Sequence, residues 1–301
     1  MDPACLRFAL TEAERRHLNE HGYLVVPEAL DRRMLERLSA AVDRVDARER
    51  TAAFGRERLL SFSNILQEDD AFVELTDWPP LFPKVWGLLG WNIYVYHTHL
   101  DVSPRLETPP SNPVAWHQDS MRVNEEIECR PRPRLSLKVG YYLTDVSGAD
   151  WGNTLLLPGS HLCDELDTPN DGVASPPGAI PLRVPAGAAL ILDRRLWHSR
   201  SPNFGPHRRK VVWMGYAYRW LRPKDEMTVQ ELIATADPIR RQMLGWATTA
   251  NSAYDPEDMD VPLRAWLAEH CPADARWSPH HENAQARPPL YGSRGKNTGR
   301  R

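Results

Sequence analysis

Between Asn92 and Trp220 the chain breaks into short apolar or alternating runs closed by proline and glycine, and this punctuation constrains the fold more than any other feature. Eight segments read as strands: 93–102, 114–119, 135–144, 154–157, 180–184, 188–192, 197–199 and 209–220. So many short strands bury their apolar faces only in a sandwich or a barrel, and a double-sheet jelly roll accommodates the number. The expected class is therefore mainly β: a double-stranded β-helix of cupin-like form with flanking α-helices at both ends. Before the strands, Thr11 and Glu14 form a capping box for a helix that Gly22 stops, and 23–26 reads as a short strand. Asp31 opens an amphipathic helix to about Val45, and 81–89 reads as another helix, ended by Gly90. After the strands, 228–244 and 262–270 are helical candidates. The organisation expected is a single domain over 1–282, with the core at about 92–220 and helical additions at 11–90 and 226–272. The polar stretch 283–301 reads as a mobile tail.

At 301 residues, 42% of them hydrophobic, the chain can bury a full core. No apolar run approaches the roughly 20 residues of a membrane span. The first residues lack the basic and apolar regions of a secretory leader, so a cytoplasmic protein is expected. A net charge of -3, with acids and bases interspersed, marks neither a nucleic-acid nor an anionic-membrane surface. Cysteines at 5, 129, 163 and 271 show no Cys-x-x-Cys spacing, which excludes a zinc ribbon. The expected partner is a small molecule.

His-x-acid on an extended strand places both side chains on one face and can supply two ligands of a mononuclear metal site. The pattern occurs at His117-Gln118-Asp119, His99-Leu100-Asp101 and His280-His281-Glu282. With 11 histidines and 40 acids, about one or two matches arise by chance, so the pattern alone is weak. The third pair sits in the polar tail. For the first, His198 is the best third ligand, and two histidines with one carboxylate leave positions open for O2 and a chelating cosubstrate. For the second, alternation puts His97, His99 and Asp101 on one strand face, which could simply line a polar cavity.

Residues 11–220 resemble the phytanoyl-CoA dioxygenase family of Fe(II)- and 2-oxoglutarate-dependent oxygenases. The matching stretches are His21-Gly22-Tyr23, Asn92-Ile93 through His97-Thr98, Trp116 through Asp119, Pro158-Gly159-Ser160-His161, and His198 through Pro202-Asn203 to Arg209-Lys210. The resemblance implies Fe(II) held by His117, Asp119 and His198, O2 as oxidant, and 2-oxoglutarate paired through its C5 carboxylate with Arg209. Arg208, of opposite strand parity, is the neighbouring alternative. It also implies Tyr141 beside the cosubstrate and Ser201 near the same carboxylate, although Ser199 and Arg200 depart from the usual His-Gly-Ser. Gln118, Asn203 and His161 are expected to support loops, and Lys138 to face the surface. His97, His99, Met121 and Arg122 are the expected substrate-side residues. Arginines 130, 132 and 134 read as an exposed turn.

The implied reaction oxidises a C–H bond of a small organic molecule, such as a bacterial secondary metabolite, with release of succinate and CO2. Asp119 favours hydroxylation over halogenation, because related halogenases replace this carboxylate with a small residue. The alternatives are a cupin-like metal enzyme that does not use 2-oxoglutarate, with His97 and His99 as ligands, and a non-catalytic jelly roll that binds a small molecule.

Overall fold

The computed structural model describes residues 1–277 except 52–53, 56–57, 111–114, 120, 167–173 and 227–228, and the side chain of Met121 is likewise outside the described residues. The expected tail and the pattern at 280–282 therefore lie outside them.

The described strands are β1 (Tyr23–Val26), β2 (Leu60–Ser63), β3 (Ile93–Ser103), β4 (Ser136–Tyr142), β5 (Thr154–Leu156), β6 (Ile180–Pro181), β7 (Ala189–Asp193), β8 (His198–Arg200) and β9 (Arg209–Tyr218). They form a large sheet in the order β1-β7-β4-β9-β3-β2 and a small one in the order β6-β5-β8, antiparallel throughout. Two facing antiparallel sheets with this crossing order make the expected jelly roll. Of the eight segments read as strands, 114–119 departs: its described part is a single bridge, His117 opposite His198, which extends the small sheet beyond β8. β2, in a stretch without clear periodicity, pairs with β3 at the large sheet's edge.

Period-two alternation builds two cores. One face of the large sheet, including Val139, Tyr141, Val212, Met214 and Tyr216, packs under a helical layer. The other face, including Tyr142, Val211 and Trp213, packs inside the barrel with Leu156, Leu190 and Leu196. Every residue of β7 is buried, as expected for a strand covered on both faces.

The helical layer begins with α1 (Glu12–His21), which carries the capping box at Thr11 and Glu14. It ends at Gly22, whose φ of +81° is left-handed and whose absent Cβ would meet His161 Nδ1 at 2.7 Å. α2 (Arg32–Glu49) is capped by Asp31, which accepts from Met34 N, and runs four residues further than the sequence suggested. Then come α3 (Asp70–Glu74), α4 (Phe82–Leu89) and, between β3 and β4, α5 (Met121–Glu126). The helix expected over 228–244 is instead two, α6 (Gln230–Thr235) and α7 (Pro238–Met243). Pro238 disfavours helical backbone at Asp237 before it, and Asp237 then caps the second helix through Ile239 N and Arg240 N. α8 (Pro262–His270) and α9 (Pro272–Arg276) complete the layer. No described helix is long and apolar enough to cross a membrane.

Candidate metal centre and its cavity

His117 and His198 exchange both backbone hydrogen bonds, each N–H donating to the other's carbonyl at 3.0 Å. Opposed residues of such a pair project to the same face, and the imidazole centroids lie 4.4 Å apart. Asp119, two residues beyond His117, completes the group. One ligand atom from each of His117, Asp119 and His198 lies within 4.8 Å of the others, the one such group among the described residues. His97 and His99 form no comparable group.

The backbone fixes the tautomers. Nδ1 of His117 is 3.0 Å from Ala115 O, and Nδ1 of His198 is 2.8 Å from Leu196 O. A carbonyl only accepts, so each Nδ1 bears the hydrogen, and each neutral ring keeps its lone pair on Nε2. Two neutral imidazoles and a carboxylate are the donor set of a facial triad. Burial pulls the His198 pKa down to about 4, with Asp119 acting in the opposite sense. Burial pushes the Asp119 carboxyl up, but Lys138, His198 and His117 outweigh it and hold the group well below the usual carboxylate range.

The loop carrying His117 and Asp119 is tied down by side-chain hydrogen bonds. Gln118 Nε2 donates to Cys163 O at 3.0 Å and Arg195 O at 2.5 Å, and Gln118 Oε1 accepts from Asn124 Nδ2 at 2.9 Å. Arg194 Nη1 in turn donates to Asn124 Oδ1 at 2.7 Å. Arg132 and Arg134 are mostly buried, contrary to an exposed turn, because they pair at 2.8 Å with Asp164 and at 2.7 Å with Asp193. Arg130 alone of the three stays on the surface.

A cavity of about 310 Å³ opens beside the two histidines, lined on its far side by Asp101, Thr154, Arg200 and Arg209. Arg209, at the start of β9, is 2% exposed. Its Nη2 donates to Thr154 Oγ1 at 3.1 Å, while its buried Nε and Nη1 have no hydrogen-bond partner among the described residues. The nearest carboxylate oxygen, Asp101 Oδ2, stands 4.0 Å from Nη1, beyond hydrogen-bond range. A buried guanidinium with two free donors is a receptor for a planar carboxylate. Arg208 points the other way and pairs with Asp46 at 2.7 Å.

Other expected site residues fall elsewhere. Tyr141 lies on the helical side of β4, and its buried hydroxyl has no hydrogen-bond partner among the described residues. The aromatic beside Arg209 is Tyr142, whose ring lies 5.6 Å from the guanidinium carbon and whose hydroxyl is 2.6 Å from Thr154 Oγ1. Ser201 donates to Pro202 O at 3.1 Å, within its own turn. The cavity is lined instead by Ser199, which accepts from Ala115 N at 2.9 Å, and by Arg200. Arg122 is exposed and pairs with Glu125 at 2.9 Å, away from the cavity. The Met121 side chain is outside the described residues. His99 lines the cavity, and His97 stacks on it at 4.8 Å.

Lys138 is the main departure from the sequence reading. It has the opposite parity to Tyr141, as the alternation required, but β4 is central and covered on both faces, so that parity points into the barrel and not to solvent. Its Nζ stands 3.2 and 3.3 Å from the two Asp119 oxygens and 4.9 Å from the centroid of the Trp213 ring. Trp213 lies flat over Gly140, where a Cβ would meet its Cζ3 at 2.5 Å, so the glycine makes room for the indole. His99 faces Trp213 across the strands, with ring centroids 6.0 Å apart.

Comparison with known proteins places these residues in a family context. The model of the phytanoyl-CoA dioxygenase family matches residues 18–211. A curated relative, Dioxygenase af480 of Aspergillus fumigatus, is 25% identical over 255 residues, covering 77% of this chain and 76% of its own. Among solved structures, HygX from Streptomyces hygroscopicus, determined with nickel and 2-oxoglutarate bound, superposes with a TM-score of 0.59 at 16% identity, over 71% of this chain and 90% of that one. The non-heme alpha ketoglutarate dependent epimerase SnoN from nogalamycin biosynthesis superposes with a TM-score of 0.55 at 23% identity, over 79% and 91%.

Proposed function

The chain belongs to the phytanoyl-CoA dioxygenase family, and on that premise we propose that it is a non-heme dioxygenase using Fe(II) and 2-oxoglutarate to hydroxylate a C–H bond of a small organic molecule. One observation carries the reading: the two histidines of a two-histidine, one-carboxylate cluster line the same cavity as a buried guanidinium with two donors unpartnered among the described residues. Each half matches one need of the chemistry, a metal and a dicarboxylate, and the cavity joins them.

His117, Asp119 and His198 would hold the metal, the two Nε2 lone pairs being available because the carbonyls of Ala115 and Leu196 occupy both Nδ1 positions. When bound, Fe(II) and 2-oxoglutarate supply the activation of O2, with succinate and CO2 as by-products. Arg209 would receive the C5 carboxylate on an unpartnered donor, Nε or Nη1, together with the second N–H of Nη2, whose first N–H Thr154 accepts at 3.1 Å. The buried Tyr142 ring, 5.6 Å from the guanidinium carbon, packs beside Arg209. His99 and Trp213 form the wall on which the substrate rests. Family breadth and the neighbours' biosynthetic context support a secondary metabolite as substrate.

The test is anaerobic spectroscopy. Fe(II) with 2-oxoglutarate is expected to give a visible charge-transfer band that His117→Ala eliminates and Arg209→Ala weakens at least tenfold in 2-oxoglutarate affinity. Absence of the band from the wild type at saturating cosubstrate would rule the reading out.

A further inference from the structure

Resting on the Fe(II) and 2-oxoglutarate assignment above, we propose that the primary substrate carries a carboxylate and that Lys138 is the side chain that anchors it. The charges around the cavity carry the inference. Lys138, Arg200 and Arg209 line the cavity and are opposed by Asp101 on its wall and Asp119 beside it, which leaves one positive charge; Lys224, which also acts on Asp119, is matched by Asp225 next to it. Fe(II) adds two and the cosubstrate dianion removes two, so the loaded site keeps one uncompensated cation among largely buried walls. Burying an unpaired charge is costly, and a monoanionic group on the substrate removes that cost.

Geometry identifies which cation remains. Arg209 is taken by the cosubstrate, and the Asp101 charge, 4.0 Å from Arg209, also acts on Arg200. Lys138 is the third, and its partner Asp119 is the group the metal claims. The Lys138 contacts of 3.2 and 3.3 Å are long for an ammonium–carboxylate pair, which runs at about 2.7–2.9 Å. Two other lysines pair tightly, Lys84 with Glu14 at 2.7 Å and Lys210 with Asp43 at 2.6 Å. An ammonium has three N–H donors, and Asp119 engages no more than two, so a third is free for a ligand. The lysine lies between the triad and the Trp213–His99 wall, so an acid held on it would have its carbon skeleton beside the metal. A phosphate dianion would overcompensate the single charge, which favours a carboxylate.

The experiment uses anaerobic protein loaded with Fe(II) and saturating 2-oxoglutarate, so that Arg209 is occupied. Benzoate and phenylacetate are titrated against their primary amides, and the perturbation of the charge-transfer band gives apparent affinities. The wild type is expected to bind at least one acid ten times more tightly than its amide, Lys138→Met to lose that preference while keeping the band, and Lys138→Arg to retain it. Equal response to acid and amide, no response to either acid, or a preference surviving in Lys138→Met overturns the proposal. Loss of the band itself in Lys138→Met also overturns it, since the lysine would then position Asp119 for the metal. A wild type with no band at all rejects the underlying iron and 2-oxoglutarate reading and this proposal with it.

Discussion

His97 and His99 sit on the inner face of β3 with no carboxylate of the described residues in hydrogen-bond range, and their neutrality has a measurable cost. Burial pulls His97 to about 4 and His99 to about 3, with the charge of Lys138 adding to both. Unfolded histidines titrate near 6.5, so between that value and the folded ones the unfolded state binds more protons. Stability is then fully present above about pH 6.5, falls as pH drops toward 4, and levels off once the folded rings protonate. Each histidine should remove up to about 2 kcal/mol by pH 5, and urea midpoints of metal-free protein should decline over this window, less steeply in His99→Gln. A flat profile would contradict the assignment of neutral rings. At this scale the sequence was partly legible. His117 and Asp119 are paired by spacing and strand parity, both local properties, whereas His198 enters through the family resemblance. Tyr141 and Lys138 show the limit, because alternation states which residues share a face but not which face is inside. On a strand covered on both sides, hydrophobicity cannot choose, and the cavity fell on the side of the lysine.

Among the elements, α7 is tied to the body by a charged contact. Arg240 donates to Asp77 Oδ1 through Nη2 at 2.7 Å and Nε at 3.0 Å, and the Asp77 side chain is 7% exposed. Burial raises the Asp77 carboxyl even with the arginine beside it. Arg240→Ala strands that carboxylate and should cost about 2–4 kcal/mol, read as a lower denaturation midpoint. Adding Asp77→Asn should restore part of the loss, and a double variant no better than the single one would contradict this account. The same region shows what element-level reading misses. Apolar periodicity runs on through 228–244, but Pro238 interrupts the backbone, and a one-residue steric effect outweighs a hydrophobic pattern. β2 was hidden for a different reason: as an edge strand of four residues, its placement comes from pairing with β3 more than from its own sequence.

For the whole molecule, the cavity lies between the two sheets, with His198 on the small one and Lys138, Arg209 and Trp213 on the large one. A ligand touching both should stabilise the native state as a unit, by about 2.7 kcal/mol at a hundredfold excess over its dissociation constant. Thermal unfolding in the absence of O2 should therefore rise stepwise, first with Fe(II) and then with 2-oxoglutarate. Arg209→Ala should erase only the second step, and its persistence there would separate the guanidinium from the cosubstrate. The jelly roll itself was legible from the proline and glycine punctuation because sheet number follows from strand number. The charge inventory of the cavity was not, since it gathers residues from β3, β4, β8 and β9 that are distant in the chain. One local feature bears on how such a protein can change over time. Each metal-facing histidine takes its tautomer from a carbonyl two residues earlier in its own segment, so the centre borrows no side chain from β3, β4 or β9 to set it. The wall proposed to select the substrate can accordingly drift, or be redesigned, while the imidazoles proposed to hold the metal remain correctly presented.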